Sequence, residues 1–275
     1  MIKYYILLIV LFFFSCKKTN EVIPSYITIN DIILNENNTS NITDAWVYVN
    51  DNIIGVYELP AKLPILTEGK QKITIRAGIK SNGIAATRTP YPFYSFFIDS
   101  INFIKDSSVV IVPSVQYLAN IDWNNIFVED FTFGSSGIKF VGELENQITF
   151  SDTTLYDSII SDNRTCGYIE LNDSTSAFRT KTLVLPGQPQ NSEHVFLEMD
   201  YRCDSSSIIV GMYKNDSRFD IMSIFPKQEW NKIYIDLTPI INSGGSVFEV
   251  FLESIKPEDV NTTTLYIDNF RIIYL

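Results

Sequence analysis

Val195-Phe196-Leu197-Glu198-Met199-Asp200-Tyr201-Arg202-Cys203 carries an apolar residue at every odd position, with Glu198, Asp200 and Arg202 between them. Successive side chains of a strand point to opposite faces, so this period of two predicts a strand with Val195, Leu197, Met199, Tyr201 and Cys203 turned inward. The same period recurs at Ile27/Ile29, Val47/Val49, Ile73/Ile75, Ile233/Ile235/Leu237 and Leu265/Ile267. Turn clusters punctuate these stretches at Asn50-Asp51-Asn52, Ser81-Asn82-Gly83, Ser135-Ser136-Gly137 and Ser243-Gly244-Gly245. Beyond residue 16, no segment keeps an apolar spacing of three to four for more than two turns, so the predicted fold class is all-β.

The closing segment departs from strict alternation. Leu265 and Ile267 are apolar at odd positions, whereas Phe270, Ile272 and Tyr274 are apolar at even ones. A switch of parity between them predicts a bulge at Asp268-Asn269. Cys203 falls on the inward face of its strand, and Cys166 falls opposite Ile169 and Leu171. A bulge at Gly167 would bring the two thiols together; regular pairing keeps them apart as two buried thiols.

Of the 275 residues, those after the first sixteen suffice for two domains with separate cores. The expected division is 1–15 leader, 16–25 tether, 26–118 a small β-sandwich and 119–275 a larger two-sheet sandwich. The junction around Gln116–Asn120 has no Gly/Ser or Pro-rich run, which implies domains packed on each other. The formal net charge of −11 argues against nucleic acid, whose phosphates call for Lys and Arg, and against a basic face on anionic lipid.

At the N-terminus, Met1-Ile2-Lys3 precedes an apolar run from Tyr4 to Phe14, then Ser15-Cys16. This has the shape of a secretory leader and is too short to span a membrane as a helix. Ser15-Cys16 resembles the lipobox of bacterial lipoproteins, which implies cleavage before Cys16 and lipidation of that cysteine. The polar residues Lys17 to Glu21 would form the tether. The resemblance is to Bacteroidetes-type lipoproteins of the outer membrane or cell surface, with membrane contact through the acyl chains on Cys16.

Two further resemblances concern the domains. Ala45 to Pro60 reads as strand, Asn/Asp turn and strand, and Leu66-Thr67-Glu68-Gly69-Lys70 feeds a third alternating strand. This resembles the PEGA domain, a small Ig-like β-module of bacterial envelope proteins without catalytic residues. Thr67 and Lys70 depart from its signature tetrapeptide. Val128-Glu129-Asp130-Phe131, Trp230 to Leu237 and Leu265 to Ile272 together resemble galactose-binding-like jelly rolls, a group that includes many carbohydrate-binding modules. That resemblance implies a ligand, a glycan first among the candidates, and a structural calcium shared by Asp130 and Asp268. The local alternative is that Asp268 hydrogen-bonds backbone freed by its own bulge.

Exposed aromatics are the residues on which sugar faces stack. Tyr156, Tyr213 and Phe225, in or beside loop-like segments, are the candidates for a binding face. Trp230 begins a strand with inward Ile233, Ile235 and Leu237, and packing at the core or rim is its expected role; Trp123 at the domain junction reads the same way. In Arg88-Thr89-Pro90-Tyr91-Pro92-Phe93-Tyr94 two prolines exclude a central strand. Its aromatics form either an exposed platform or a plug between the domains, and the large area they bury favours the plug.

Catalysis finds no motif. His194 is the single histidine, with no nucleophile elbow around a serine or cysteine, and one histidine cannot build a multi-histidine zinc site. The expected function is therefore non-catalytic: glycan or other ligand binding by the second domain. The alternative is a structural accessory subunit whose jelly roll docks on an outer-membrane protein partner.

Overall fold

The structure is a computed structural model that describes residues 23–35, 39–132, 139–143, 151–154, 165–185, 189 and 192–275. It is all-β: one four-residue helical turn, Thr238–Ile241, interrupts the strands of the described residues. No helix among them is long and apolar enough to cross a membrane. The leader, Cys16 and Tyr156 lie outside the described residues.

The N-terminal domain comprises β1 (Ser25–Ile29), β2 (Ile33–Leu34), β3 (Asp44–Val49), β4 (Asn52–Glu58), β5 (Ala61–Ile65), β6 (Gly69–Lys80), β7 (Arg88–Pro90), β8 (Phe97–Phe103), β9 (Ser108–Ile111) and β10 (Ser114–Val115). One sheet runs β4-β3-β6-β7 with β8 also on β6, a second runs β5-β1-β9, and β2 pairs β10. The β3–β4 hairpin turns through Asn50 (φ 49°) and Asp51 (φ 66°), residue types that tolerate the left-handed region a tight hairpin needs. Odd residues of β3 and β6, among them Val47, Val49, Ile73 and Ile75, pack with Ile27, Ile29, Leu63 and Ile65 of the facing sheet.

The second domain is a jelly-roll sandwich. Its strands are β11 (Phe127–Glu129), β12 (Phe140–Gly142), β13 (Ser151–Thr154), β14 (Thr165–Leu171), β15 (Ala177–Thr182), β16 (Val195–Cys203), β17 (Ile208–Lys214), β18 (Ser217–Ile224), β19 (Lys227–Asp236), β20 (Phe248–Ile255) and β21 (Thr263–Tyr274). A six-stranded sheet has the order β13-β14-β21-β16-β19 with β11 on β21, and a five-stranded sheet the order β12-β15-β20-β17-β18. The inward residues of β16 (Val195, Leu197, Met199, Tyr201, Cys203) are buried in the core between the sheets, as the alternation predicts. The bulge at Asp268-Asn269 is present: the β16–β21 register shifts between Glu198 and Asp200, and Asn269 has φ 47°. At Gly167 β14 pairs without a shift. Neither Cys166 nor Cys203 forms a disulfide, and burial pushes the Cys166 thiol up to about 12.

The two domains share an interface built on the outward face of β16. Tyr91, Phe93, Tyr94 and Tyr117 of the N-terminal domain are buried against Phe196, Tyr234 and Ile273 of the jelly roll. The Pro-flanked aromatics are thus the plug. Tyr91 lies edge-on to Phe196 with centroids 5.5 Å apart. In the middle sits Glu198, which accepts hydrogen bonds from the hydroxyls of Tyr91 (2.6 Å) and Tyr117 (2.7 Å). Lys232 Nζ is 3.0 Å from Glu198 and 3.7 Å from Asp200. At the edge of β19, Ser81 bridges to Tyr234, Asn82 N–H donates to the Tyr234 carbonyl (2.7 Å) and Asn41 Nδ2 donates to the Lys232 carbonyl (2.9 Å).

Burial alone would raise the Glu198 carboxyl, but Lys232, Arg271 and the two tyrosine hydroxyls outweigh it and hold it below the usual range. Desolvation, with Glu198 the next contributor, pushes the Tyr91 and Tyr117 hydroxyls well above theirs. An acid whose pKa is depressed on folding stabilises the fold above its unfolded value, about 4.3, and loses that contribution as the pH falls through the folded value. Tyrosines whose pKa is raised stabilise below about pH 10 and lose that contribution as the pH rises further. The urea midpoint should therefore hold level between roughly pH 5 and 9 and fall on both sides. Lys232→Met, which leaves Glu198 and Asp200 buried without their ammonium, should cost about 3–5 kcal/mol in urea unfolding near neutral pH.

Candidate ligand-binding site

The N-terminal domain covers only part of the six-stranded sheet's outer face. Along β16 the outward residues run Phe196, Glu198, Asp200, Arg202; the first three are buried and Arg202 is half-buried. Arg202 pairs across to Tyr266 on β21, and Tyr266 pairs to Tyr168 on β14. On the other flank β19 contributes Trp230, whose ring centroid is 6.4 Å from that of Tyr266. Tyr168 and Tyr266 stand 5.2 Å apart at 45°. The Arg202 guanidinium lies 5.4 Å from the Tyr266 ring centre, in cation–π range. Three half-buried rings and one arginine thus form a row across four adjacent strands.

The polar groups around the row are of a kind that sugar hydroxyls meet. Tyr168 Oη donates to Glu170 (2.8 Å), and burial followed by that carboxylate pushes the phenol up to about 12, so it stays a donor. Trp230 Nε1 and Arg202 Nε are buried with no hydrogen-bond partner. A buried unmet donor costs on the order of 1–3 kcal/mol, a penalty that an arriving acceptor relieves. Trp230, expected at the core or rim, is at the rim and belongs to the row. Trp123 is 42% exposed and meets Tyr117 edge-on at 5.2 Å.

The residues chosen from the sequence fall elsewhere. Tyr213 is in strand β17 and not in a loop, on the open face of the five-stranded sheet, where its hydroxyl donates to Glu143 (3.0 Å). That face is a lattice of paired charges: Glu253 accepts from Arg179 (2.8 Å) and Arg218 (2.7 Å), and Lys181 meets Glu249 (3.1 Å). Arg218 lies over Phe251 and Lys181 over Tyr213, so cations already sit on the rings. Phe225 is 76% exposed at the crossover from the five- to the six-stranded sheet. The structure does not gather Tyr213 and Phe225 on one face. The ring row was missed, although Tyr168 and Tyr266 each read as outward from their apolar neighbours.

Asp268 is part of the bulge and Asp130 lies just beyond the neighbouring strand, since it follows the Glu129–Phe270 pair. Asp130 is exposed and caps its own turn by accepting from the Thr132 N–H (3.1 Å). Asp268 is buried and accepts from the Asn269 N–H (2.7 Å), the backbone freed by the bulge. Calcium takes six to eight oxygens, and among the described residues no three His, Cys, Asp or Glu side chains gather as a metal site. The described donors do not by themselves fit the ion. Asp268→Asn should lower the melting temperature equally with and without chelator; a chelator effect that this substitution abolishes would instead establish the shared ion.

No protein-family model and no curated protein matches the chain. Solved structures are similar over about half of it. An exo-β-agarase has 16% identity and a TM-score of 0.41, over 54% of this chain and 24% of that one. A CBM61 module in complex with β-1,4-galactotriose has 9% identity and a TM-score of 0.37, over 53% of this chain and 94% of that one. A family 29 carbohydrate-binding module has 12% identity and a TM-score of 0.33, over 54% and 88%. The chain thus spans about a quarter of the agarase and most of each module's length.

Proposed function

We propose that this chain is a non-catalytic glycan-binding protein whose jelly roll receives sugar on the Tyr168–Tyr266–Trp230 row. The row carries the reading: three rings, tilted at 45° and 59° to one another, gather on one sheet face, with Arg202 and Glu170 placed beside them to meet hydroxyls. Pyranose rings present an apolar C–H face for stacking and oxygens at their rim for hydrogen bonds. A few aromatics on a preformed surface, flanked by a small number of polar groups, supply both. Truncating an aromatic that anchors such a contact costs about 2 kcal/mol or more, roughly a thirty-fold loss of affinity. Tyr266→Ala and Trp230→Ala should each lose binding on a glycan array by that margin while the melting temperature moves little. Full retention of binding by both variants removes the reading.

The setting proposed for this activity is the bacterial outer membrane or cell surface, with the N-terminal domain as a PEGA-like spacer and Cys16 as the lipid anchor. It is supported by the leader-like run Tyr4–Phe14 ending in Ser15-Cys16. Cys16→Ser should move the protein from the membrane fraction to the soluble one. Retention of that variant in washed membranes would overturn the anchor.

A further inference from the structure

The open face of the N-terminal sheet has the same chemistry as the row on the jelly roll. Val56, Trp46 and Arg76 stand side by side on β4, β3 and β6, and the Arg76 guanidinium lies 4.8 Å from the Phe96 ring centre. The neighbouring line holds Tyr48, Thr74 and Ile98. Phe96 is 52% and Ile98 58% exposed, so nothing among the described residues covers this face. Trp46 Nε1, Arg76 Nε and Thr74 Oγ1 are all buried without a hydrogen-bond partner, and Thr74 as a whole is only 9% exposed. Three unmet groups that can donate thus lie beneath a surface on which Phe96, Val56 and Ile98 are exposed.

This face leads to the jelly roll. The outward residues of β6 are Lys72, Thr74, Arg76, Gly78 and Lys80, one face by the strand's period of two. A Cβ on Gly78 would come 2.9 Å from Trp46 Nε1, so the missing side chain leaves the indole its place on the sheet. Lys80 lines a pocket of about 340 Å³ between the domains, together with Asn41 and Thr43 on one side and Lys227, Asn231 and Lys232 on the other. Lys227 and Asn231 belong to β19, the strand that carries Trp230. Lys232 is held by Glu198 and Asp200, and Lys80 meets Glu58 at 3.3 Å. Lys227 is exposed and has no carboxylate partner among the described residues.

We propose that the binding surface continues from the jelly-roll row through this pocket onto the Trp46–Arg76–Phe96 face, so that the ligand is an extended polysaccharide chain lying across both domains. The proposal rests on the glycan reading of the row. The unmet groups select the occupant. An apolar protein surface laid on the N-terminal face would leave Trp46 Nε1, Arg76 Nε and Thr74 Oγ1 without acceptors, whereas a sugar chain brings both flat C–H faces and oxygens. Length follows from the geometry. Lys80 to Arg76 alone covers about 13 Å of strand, so a chain that reaches from Trp230 to Phe96 has to be several residues long.

The test uses full-length protein in detergent and affinity gels containing soluble galactan, glucomannan or polygalacturonate. Calorimetry with the retarding polysaccharide and its own trisaccharide follows. The polysaccharide should bind at least ten-fold more tightly than the trisaccharide. Trp46→Ala, Phe96→Ala and Lys80→Ala should weaken the polysaccharide alone, and Tyr266→Ala should weaken both ligands. Phe96 and Lys80 are exposed or half-buried, so those variants keep the test open if Trp46→Ala lowers stability. Unchanged polysaccharide affinity in Phe96→Ala and Lys80→Ala, with loss in Tyr266→Ala, overturns the continuous surface and leaves the glycan reading standing. No loss in Tyr266→Ala for either ligand, or no retardation in any gel, overturns both.

Discussion

Everything about the placement of surfaces in this protein depends on one buried carboxylate. Glu198 has no exposure to water, and its compensation comes from groups brought to it by the fold: Lys232 and Arg271 on the neighbouring strands, and Tyr91 and Tyr117 from the other domain. Removing a charge from water is costly, and the attraction returned by its partners offsets that cost only when their geometry is complete. The docked N-terminal domain completes that geometry by supplying two of the hydrogen bonds the carboxylate accepts. A sliding or swinging domain would expose Tyr91 and Phe93 and break two hydrogen bonds to a buried charge together. The short junction reinforces this, since Tyr117, Ile121 and Ile126 pack into the N-terminal core and do not form a free tether.

That docking decides which surfaces are left for a ligand. The jelly roll has two outer sheet faces. One carries ion pairs that satisfy each other. The other is half covered by the N-terminal domain, and the uncovered half begins at Arg202, the next outward residue of β16 after the buried Phe196, Glu198 and Asp200. The ring row is what remains. Docking also occupies the edge of β19, which would otherwise present unpaired backbone to other chains. The Ser81–Gly83 turn closes it through Tyr234.

The sequence made the scaffold legible because strands write their two faces into alternation. The inward set of β16, the parity switch that became the Asp268-Asn269 bulge, and the plugging role of Tyr91 and Phe93 all follow from residues close together in the chain. The site was not legible for the complementary reason. Tyr168, Arg202, Trp230 and Tyr266 lie on four strands far apart in sequence, and only the order β14-β21-β16-β19 makes them neighbours. Tyr213 and Phe225 were chosen as lying in or beside loop-like segments; Tyr213 is near the end of a strand, two residues before a turn, with its hydroxyl engaged. Glu198 and Asp200 lie on the polar side of an alternating strand, the side that faces water when a sheet stands alone. Their burial reports a second domain, which alternation within one strand cannot encode.

The buried interface has a consequence for the proposed binding of an extended chain. Two weak sugar contacts on domains joined by a flexible linker would cooperate only to the extent that the linker held them at a useful spacing. Here the spacing between the jelly-roll row and the N-terminal face is set by the buried cluster around Glu198, and no ordering of a linker opposes the second contact. A long chain that satisfies the first surface meets the second at a fixed distance and angle. A chain of the wrong shape meets it nowhere. On the proposed two-domain surface, the charge that fixes the domains would also set selectivity: discrimination among extended ligands would come from the angle between two sheets as much as from any single ring.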